Sequence, residues 1–312
     1  MQMSKKKLVV GTRGSQLALW QADYVIGRLQ QQYPDLNIEK RLMTTKGDKI
    51  LNAPLAKIGG KGLFTKELEV AMVNGEIDIA VHSLKDMPVV VPEGLEIACI
   101  TERADVQDAF VSLRYKTLEE LPQGAKVGTS SLRRKAQLLH LRPDLNIQDL
   151  RGNVNTRLAK LESESFDAII LASAGLKRLG FEDRISSVLT TDQSLPAVGQ
   201  GALAIECRAD DEETKKLISF LNDAETAACT RGERGFLAAV EGGCQVPVGV
   251  YGQVQADNLK LEAIIASLDG TQLLRESITG PVAEAEALGQ RLAQNMLDKG
   301  GRAILAEIGI NL

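Results

Sequence analysis

Two stretches of this sequence each occur twice. "VVGTRGSQLAL", from Val9, returns loosely as "KVGTSSLRRKAQLL", from Lys126, and "EIDIAVHSLKD", from Glu76, returns as "SFDAIILASAGLKR", from Ser165. The first pair reads as a strand, Gly-Thr, small polar residues and a helix. The second reads as an aspartate, a buried strand, a serine and a turn with a lysine. Both pairs keep the same order along the chain. A sequence that repeats its plan folds into two similar α/β lobes, and a lobe pair implies a cleft between them where ligands bind.

Local signals agree with that plan. "KLVVGT" has the pattern of a strand, and Ser15 is placed to cap a helix in which Leu17, Trp20, Tyr24 and Leu29 recur at helical spacing. "GLFTKELEVAMVNG" reads as a helix closed by Gly75, and "IDIAVHS" as the next strand. Strands separated by helices predict a mostly parallel sheet. The tail differs. "DEETKKLISFLNDAETAACTRGERGFLAAVEGG" reads as helical, and "VGVYGQVQ", "LKLEAIIAS" and "QLLRESITG" as strands joined at "ADN" and "DG" turns. A helix follows, with Pro281 at its start and Gly300 at its end. Grouped strands and then a helix make a third, α+β domain.

Composition narrows the chemistry. The net charge of −4 argues against a general attraction to nucleic acid or to an acidic membrane. "MQMSKKKLVVG" is too short in apolar residues for a signal peptide, and no later run is long enough to span a bilayer, so a cytoplasmic chain with reduced thiols is expected. The four cysteines form no CxxC pair, and His82 and His140 are the two histidines, too few for a histidine-based metal site or triad. His82, on an apolar strand, reads as a satisfied core histidine. What remains for chemistry is carboxylate, cation and thiol.

The cations gather at turns. Arg13, Lys57, Lys61, Lys85, Arg133, Arg134, Arg151, Arg157 and Arg178 lie mostly at strand ends or in first helical turns. Backbone N–H groups and the helix dipole already favour anions there. Arginines at such places are unfavourable unless an anion binds, and guanidinium forks hold carboxylates bidentately. Individually each could pair with a surface acid; as a set they describe a polyanion site. Asp86, in "SLKDMP", is either a turn aspartate bonding local backbone or a carboxylate kept ionised by its cationic neighbours, suited to stabilising positive charge or moving protons. "KIGGKGLFTKE" lacks the spacing and the Lys-Ser/Thr ending of a phosphate loop and reads better as a flexible lid. Cys244 stands apart from Cys99, Cys207 and Cys229, which lie in apolar runs: it follows two glycines in "EGGCQVPVG", on a turn.

These pieces resemble one family. "ERGFLAAVEGGCQVPVG" closely resembles the cofactor-attachment signature of the hydroxymethylbilane synthase (porphobilinogen deaminase) family. "GTRGSQLAL", "GGKGLFTKELE", "AVHSLKDMP", "GTSSLRR", "RGNVNTRL" and "PAVGQGALAIE" are similar to that family's motifs, in the family's order. The resemblance runs from about Leu8 to the C-terminus.

The resemblance implies a transferase that joins four porphobilinogens head to tail with loss of ammonia, then hydrolyses the product to hydroxymethylbilane. It implies a dipyrromethane cofactor bound through a thioether to Cys244, where a soft thiolate captures an electrophilic methylene. Ser83, Lys85, Thr129, Ser130, Ser131, Arg133 and Arg134 would hold the cofactor's carboxylates. Arg13, Ser15, Arg151, Arg157 and Arg178 would hold substrate or growing chain, with Phe64 and Gln200 lining the site. Asp86 would face the pyrrole N–H groups as the catalytic carboxylate. The implied fold has two lobes resembling periplasmic binding protein domains: residues 1–101 with a return segment 198–219, and residues 105–195. Residues 220–312 form the α+β domain that carries the cysteine loop. No metal or nucleotide is implied, and the expectation is a cytoplasmic monomer acting on porphobilinogen, without nucleic acid or membrane. The reading from another class, a non-catalytic two-lobed binding protein for small polycarboxylates, fits the lobes and cations equally well; Cys244, Asp86 and the third domain count against it.

Overall fold

A computed structural model describes residues 5–49, 62–240 and 246–310. Lys57, Lys61 and Cys244 lie outside the described residues. The chain begins with β1 (Lys7–Arg13), α1 (Gln16–Gln32), β2 (Asn37–Met43), α2 (Lys66–Val73), β3 (Ile79–Ser83) and β4 (Leu95–Ile100). It continues through β5 (Asp108–Val111), β6 (Lys126–Gly128), α3 (Leu132–Leu141), β7 (Asn146–Gln148), α4 (Val154–Ser163), β8 (Ala168–Ala172), α5 (Ser173–Arg178) and β9 (Ser187–Leu189). Last come β10 (Leu203–Arg208), α6 (Glu212–Ile218), α7 (Ala224–Ala239), β11 (Val248–Gln255), β12 (Asn258–Ala266), β13 (Leu273–Pro281) and α8 (Ala285–Met296).

Two five-stranded sheets share one topology. The first has the order β2-β1-β3-β10-β4 and the second β7-β6-β8-β5-β9. In each, the first three strands are parallel and the fourth runs antiparallel to both neighbours. The antiparallel strand of each sheet is therefore the one out of sequence order: β5 enters the second sheet early, and β10 returns to the first late. Helices cover the sheets, so the inner strands are nearly continuous apolar runs, as in β5, β8 and β10.

The two repeated stretches fold alike down to single hydrogen bonds. Asp78 accepts from Val9 N through Oδ2 at 2.7 Å, and Asp167 accepts from Lys126 N through Oδ2 at 2.8 Å. Each aspartate precedes its strand and satisfies the donor one residue before the pairing with the neighbouring parallel strand begins, which fixes the register. Ser15 and Ser131 likewise cap α1 and α3, accepting from Ala18 N and Arg134 N.

Contacts divide the chain into two compact units. Among the described residues, one comprises 5–49, 62–104 and 201–227; the other comprises 105–200, 228–240 and 246–310. In the first, Leu8, Val10, Ile79, Val81 and Ile205 pack with Val25 and Leu29 of α1, while Ala80 packs with Leu68 and Met72 of α2. In the second, the sheet has its own cores around Phe110 and Phe166, and the three-stranded antiparallel sheet β11-β12-β13 packs Leu259 and Leu261 against Phe236 and Leu292. That small sheet and its helices are joined to the second five-stranded sheet by Val250 N donating to Pro196 O, by His140 Nδ1 at 2.8 Å from Gly270 O, and by Arg275 reaching Asp192.

Three local details go beyond the sequence reading. The buried face of α1 is Ala18, Gln21, Ala22, Val25 and Leu29; Trp20 is exposed and stacks on Tyr24 at 5.5 Å. Small residues let the helix lie close to the sheet, and the large aromatics are turned outward. The helical stretch after Asp210 is divided into two helices, because Asp223 accepts from Thr226 N and starts α7 afresh. Pro281 ends β13, paired with Asn258, and also caps a 3₁₀ turn, Val282–Glu284, that leads directly into α8.

Gly289 of α8 faces Gly232 of α7 so closely that a Cβ at Gly289 would lie 2.0 Å from Gly232 O and 2.7 Å from Phe236 N. Both obstacles are helix backbone. Gly289→Ala is expected to destabilise the protein by roughly 1–3 kcal/mol or more, read as an earlier thermal or denaturant midpoint.

Candidate active site

In the first unit, one pocket opens at the C-terminal ends of β1 and β3. Its walls include Arg13, Ser15, Gln21, Phe64, His82, Ser83 and Asp86. The local sequence explains the convergence. β1 delivers Arg13, and Ser15 starts α1 two residues later, so that helix N-terminus lies at the strand end. The Arg13 guanidinium stands 4.3 Å over the Phe64 ring. β3 ends at Ser83, whose hydroxyl accepts from Gln21 Nε2 at 2.7 Å. The chain then makes one 3₁₀ turn, Leu84–Asp86, anchored by Leu84 N donating to Ala202 O. Leu84 points into the core, Lys85 is half-buried, and Asp86 is exposed at the turn's end. Of the expected residues, Arg13, Ser15, Phe64, Ser83 and Asp86 line this one pocket. Gln21 and Thr65 are wall residues that the sequence reading did not single out.

The second unit holds a buried ionic network. Arg133 and Arg134, in the first turn of α3, are 4% and 6% exposed, and both reach Asp108 of β5, which is 0% exposed. Arg133 Nη1 donates to Asp108 Oδ2 at 2.8 Å, and Arg134 Nη2 donates to Oδ1 at 2.7 Å. Ser194 Oγ and Gln200 Nε2 also donate to the same carboxylate, at 2.8 and 3.0 Å. Burial alone would raise the Asp108 carboxyl, but the charges of Arg133 and Arg134 overcome it and hold the group far below the ordinary carboxylate range. Two guanidinium groups against one carboxylate leave one surplus positive charge among these three side chains. Arg133 Nε is buried without a hydrogen-bond partner among the described residues. Both features fit a further anion.

The remaining candidates sit on adjoining turns. Thr129, Ser130 and Ser131 form the β6–α3 turn, with Thr129 Oγ1 accepting from Ser131 N and Ser130 Oγ bridging to Leu150. "RGN" makes the turn into α4: Gly152 has φ 119°, where a side chain would be strained, and Asn153 caps the helix by accepting from Thr156 N at 2.9 Å. Arg151 precedes that turn, its Nη1 buried with no hydrogen-bond partner among the described residues, and Arg157 follows it, donating through Nε to Gly152 O. Arg178 ends α5. Asp108 was missed in the sequence, although an aspartate heading the apolar run "DAFV" was a signal: a charge on an inner strand requires a partner.

Known families and proteins were compared with the chain. The description "Porphobilinogen deaminase, dipyromethane cofactor binding domain" matches residues 8–216, and "Porphobilinogen deaminase, C-terminal domain" matches residues 227–298. A porphobilinogen deaminase of Geotalea daltonii is 56% identical over 306 residues, covering 98% of this chain and 96% of that protein. One of Geobacter sulfurreducens is 55% identical with the same coverage. Among solved structures, the methionine-binding protein MetQ is 15% identical with a TM-score of 0.46, over 72% of this chain and 93% of that one. A nutrient-binding protein from Burkholderia cenocepacia bound to methionine is 16% identical with a TM-score of 0.45, over 68% and 90%.

The Asp108 network yields a stability prediction. Asp108→Asn leaves two buried cations without their carboxylate and is expected to cost about 3–5 kcal/mol, measured as a shifted denaturant midpoint. Because the folded-state carboxyl titrates below its unfolded value near ~3.9, its stabilisation is present above that pH and is lost as pH falls towards the folded value. The parent protein should therefore lose stability on acidification below about pH 4, and Asp108→Asn should show a weaker acid dependence.

Proposed function

This chain belongs to the porphobilinogen deaminase family, and on that premise we propose how its own residues divide the work. The family's reaction is a transfer in tetrapyrrole (porphyrin and haem) biosynthesis: four porphobilinogens are joined head to tail, ammonia leaves at each step, and hydrolysis frees hydroxymethylbilane. The cofactor of this family is a dipyrromethane, which when bound supplies the pyrrole α-carbon that begins the chain.

Cys244 attaches it. Support comes from the other thiols: Cys99, Cys207 and Cys229 are all buried, and burial pushes Cys99 and Cys207 up to about 12, which removes them as thiolate nucleophiles. Arg133 and Arg134, with Ser83, Lys85, Thr129, Ser130 and Ser131, hold the cofactor's carboxylates. The surplus charge around Asp108 supports this for the two arginines. Arg151, Arg157 and Arg178, with Gln200, serve substrate and growing chain; the buried Nη1 of Arg151, without a hydrogen-bond partner among the described residues, supports its part.

Asp86 is the catalytic carboxylate, and the observation that carries this assignment is its pocket. An exposed acid stands there with Arg13 and the N-terminus of α1. Arg13 and the helix N-terminus bind a substrate carboxylate, with Ser15 and Phe64 orienting the ring. The substrate's protonated aminomethyl group leaves as ammonia: its C–N bond breaks, the electron pair goes with nitrogen, and the ring becomes cationic. Asp86 stabilises that charge; after the C–C bond forms, it takes the proton lost from the attacking α-carbon and passes it on to solvent or to the amine of the next substrate.

Cytoplasmic action and a monomeric state belong to the same proposal. The unbridged thiols Cys99 and Cys207 support a reducing compartment, and sedimentation of the purified protein tests the second point. The net charge of −4 supports a small-molecule substrate over nucleic acid. No helix among the described residues is long and apolar enough to cross a membrane.

Two outcomes check the assignments. Denatured Cys244→Ser protein should have the mass of its sequence, while the parent is heavier by two deaminated pyrrole units; equal masses would remove Cys244 from its role. Asp86→Asn should retain the covalent pyrroles and lose at least about a hundredfold in kcat, with a smaller change in KM. Near-parental turnover would make Asp86 a turn residue only.

A further inference from the structure

Behind the Asp86 pocket lies a set of buried titratable groups that the reaction as described leaves unused. β3 and β10 pair with His82 opposite Ala204 and Ala80 opposite Glu206, so His82 and Glu206 share one face of the sheet. His82 Nε2 lies 3.0 Å from Glu206 Oε2; His82 is 6% exposed and Glu206 0%. Glu69, on the covering helix α2, is also buried, and its carboxyl is raised above the ordinary range by burial and, less strongly, by the charge of Glu206. Oε1 of Glu206 and Oε1 of Glu69 are buried with no hydrogen-bond partner among the described residues. His82 and Thr65 are also walls of the Asp86 pocket.

A carboxylate in so dry a place is strongly unfavourable without a partner, and His82 Nε2 is that partner for Glu206 Oε2. We propose that His82, held by Glu206, is a positioning residue for this reaction: the contact fixes the orientation of the imidazole and so the hydrogen bonding of the pocket wall beside which Asp86 works. This rests on the reading of the pocket as the place where ammonia leaves and the new bond forms. Glu206 of β10 and Glu69 of α2 lie against His82, and Arg13, Gln21 and Asp86 share the pocket wall with it. Loss of Glu206 would leave the imidazole without the group that orients it, which alters the field felt by a cation in the pocket more than it alters the grip on substrate carboxylates.

The experiment uses cofactor-loaded enzyme, with loading checked by intact mass and fold by thermal melting. Three variants are compared with the parent: Glu206→Gln, His82→Gln and the double variant His82→Leu with Glu206→Leu. Glu206→Gln is expected to lower kcat at least about tenfold, with KM within about threefold, and to displace the kcat–pH profile. The double variant removes both polar partners together, so neither is left behind as an unpaired buried group; it should melt near the parent and still turn over slowly. A double variant within about twofold of parental kcat would mean that the pair is structural, and the proposal fails. So would single variants with unchanged kcat and pH profile, and these decide the matter alone if the double variant does not load. Asp86→Asn separates the two readings. Fast turnover there removes the pocket as premise, whereas slow turnover there with normal pair variants removes this inference alone.

Discussion

Asp108 and the two arginines it holds are the interaction on which the second unit depends. A carboxylate and two guanidinium groups are taken out of water on an inner strand, which is tolerable only because both carboxylate oxygens accept several donors. The arginine side chains are held in place by the protein itself. Ordering them in advance would lower the entropy lost on binding a ligand carboxylate, and the positive charge that Asp108 does not neutralise is the feature on which their proposed role rests. Ser194 and Gln200 tie the segment leading to β10 into the same network, so the ionic cluster also fixes the chain at the point where it leaves the second sheet.

The two sheets repeat a plan and then diverge in chemistry at matching places. Asp78 and Asp167 pin equivalent strands, and Ser15 and Ser131 cap equivalent helices. After β3 the chain makes a single 3₁₀ turn and exposes an acid, Asp86. After β8 it makes a short helix ending in Lys177 and Arg178, where cations suit the helix dipole.

Much of this plan was legible in the sequence, because it is written in local signals. Serines before periodic helices and glycines after them mark the element ends, and the repeated stretches announced two sheets of like order. What was not legible has a common physical origin. Trp20 looks like a core residue by type, yet Ala18 and Ala22 allow the closer helix–sheet approach. Asp223 restarts a helix through one side-chain bond that helical periodicity hides. The Asp108 network and the His82–Glu206 pair join residues far apart in the chain, the latter 124 positions apart, so no window of sequence contains them. Residue types at turns pointed to the first pocket; only the fold shows that Arg13, Ser15, Ser83 and Asp86 share it.

The central claim is that the growing chain stays covalently bound while these cations and Asp86 process each unit. The most direct measurement is intact mass of the loaded enzyme, denatured at intervals after limiting porphobilinogen is added. The account predicts a ladder of species above the loaded mass, spaced by one deaminated pyrrole unit, which falls back to the loaded mass as hydroxymethylbilane is released. Product accumulating while the enzyme stays at its loaded mass throughout, with no ladder at any time, would contradict it.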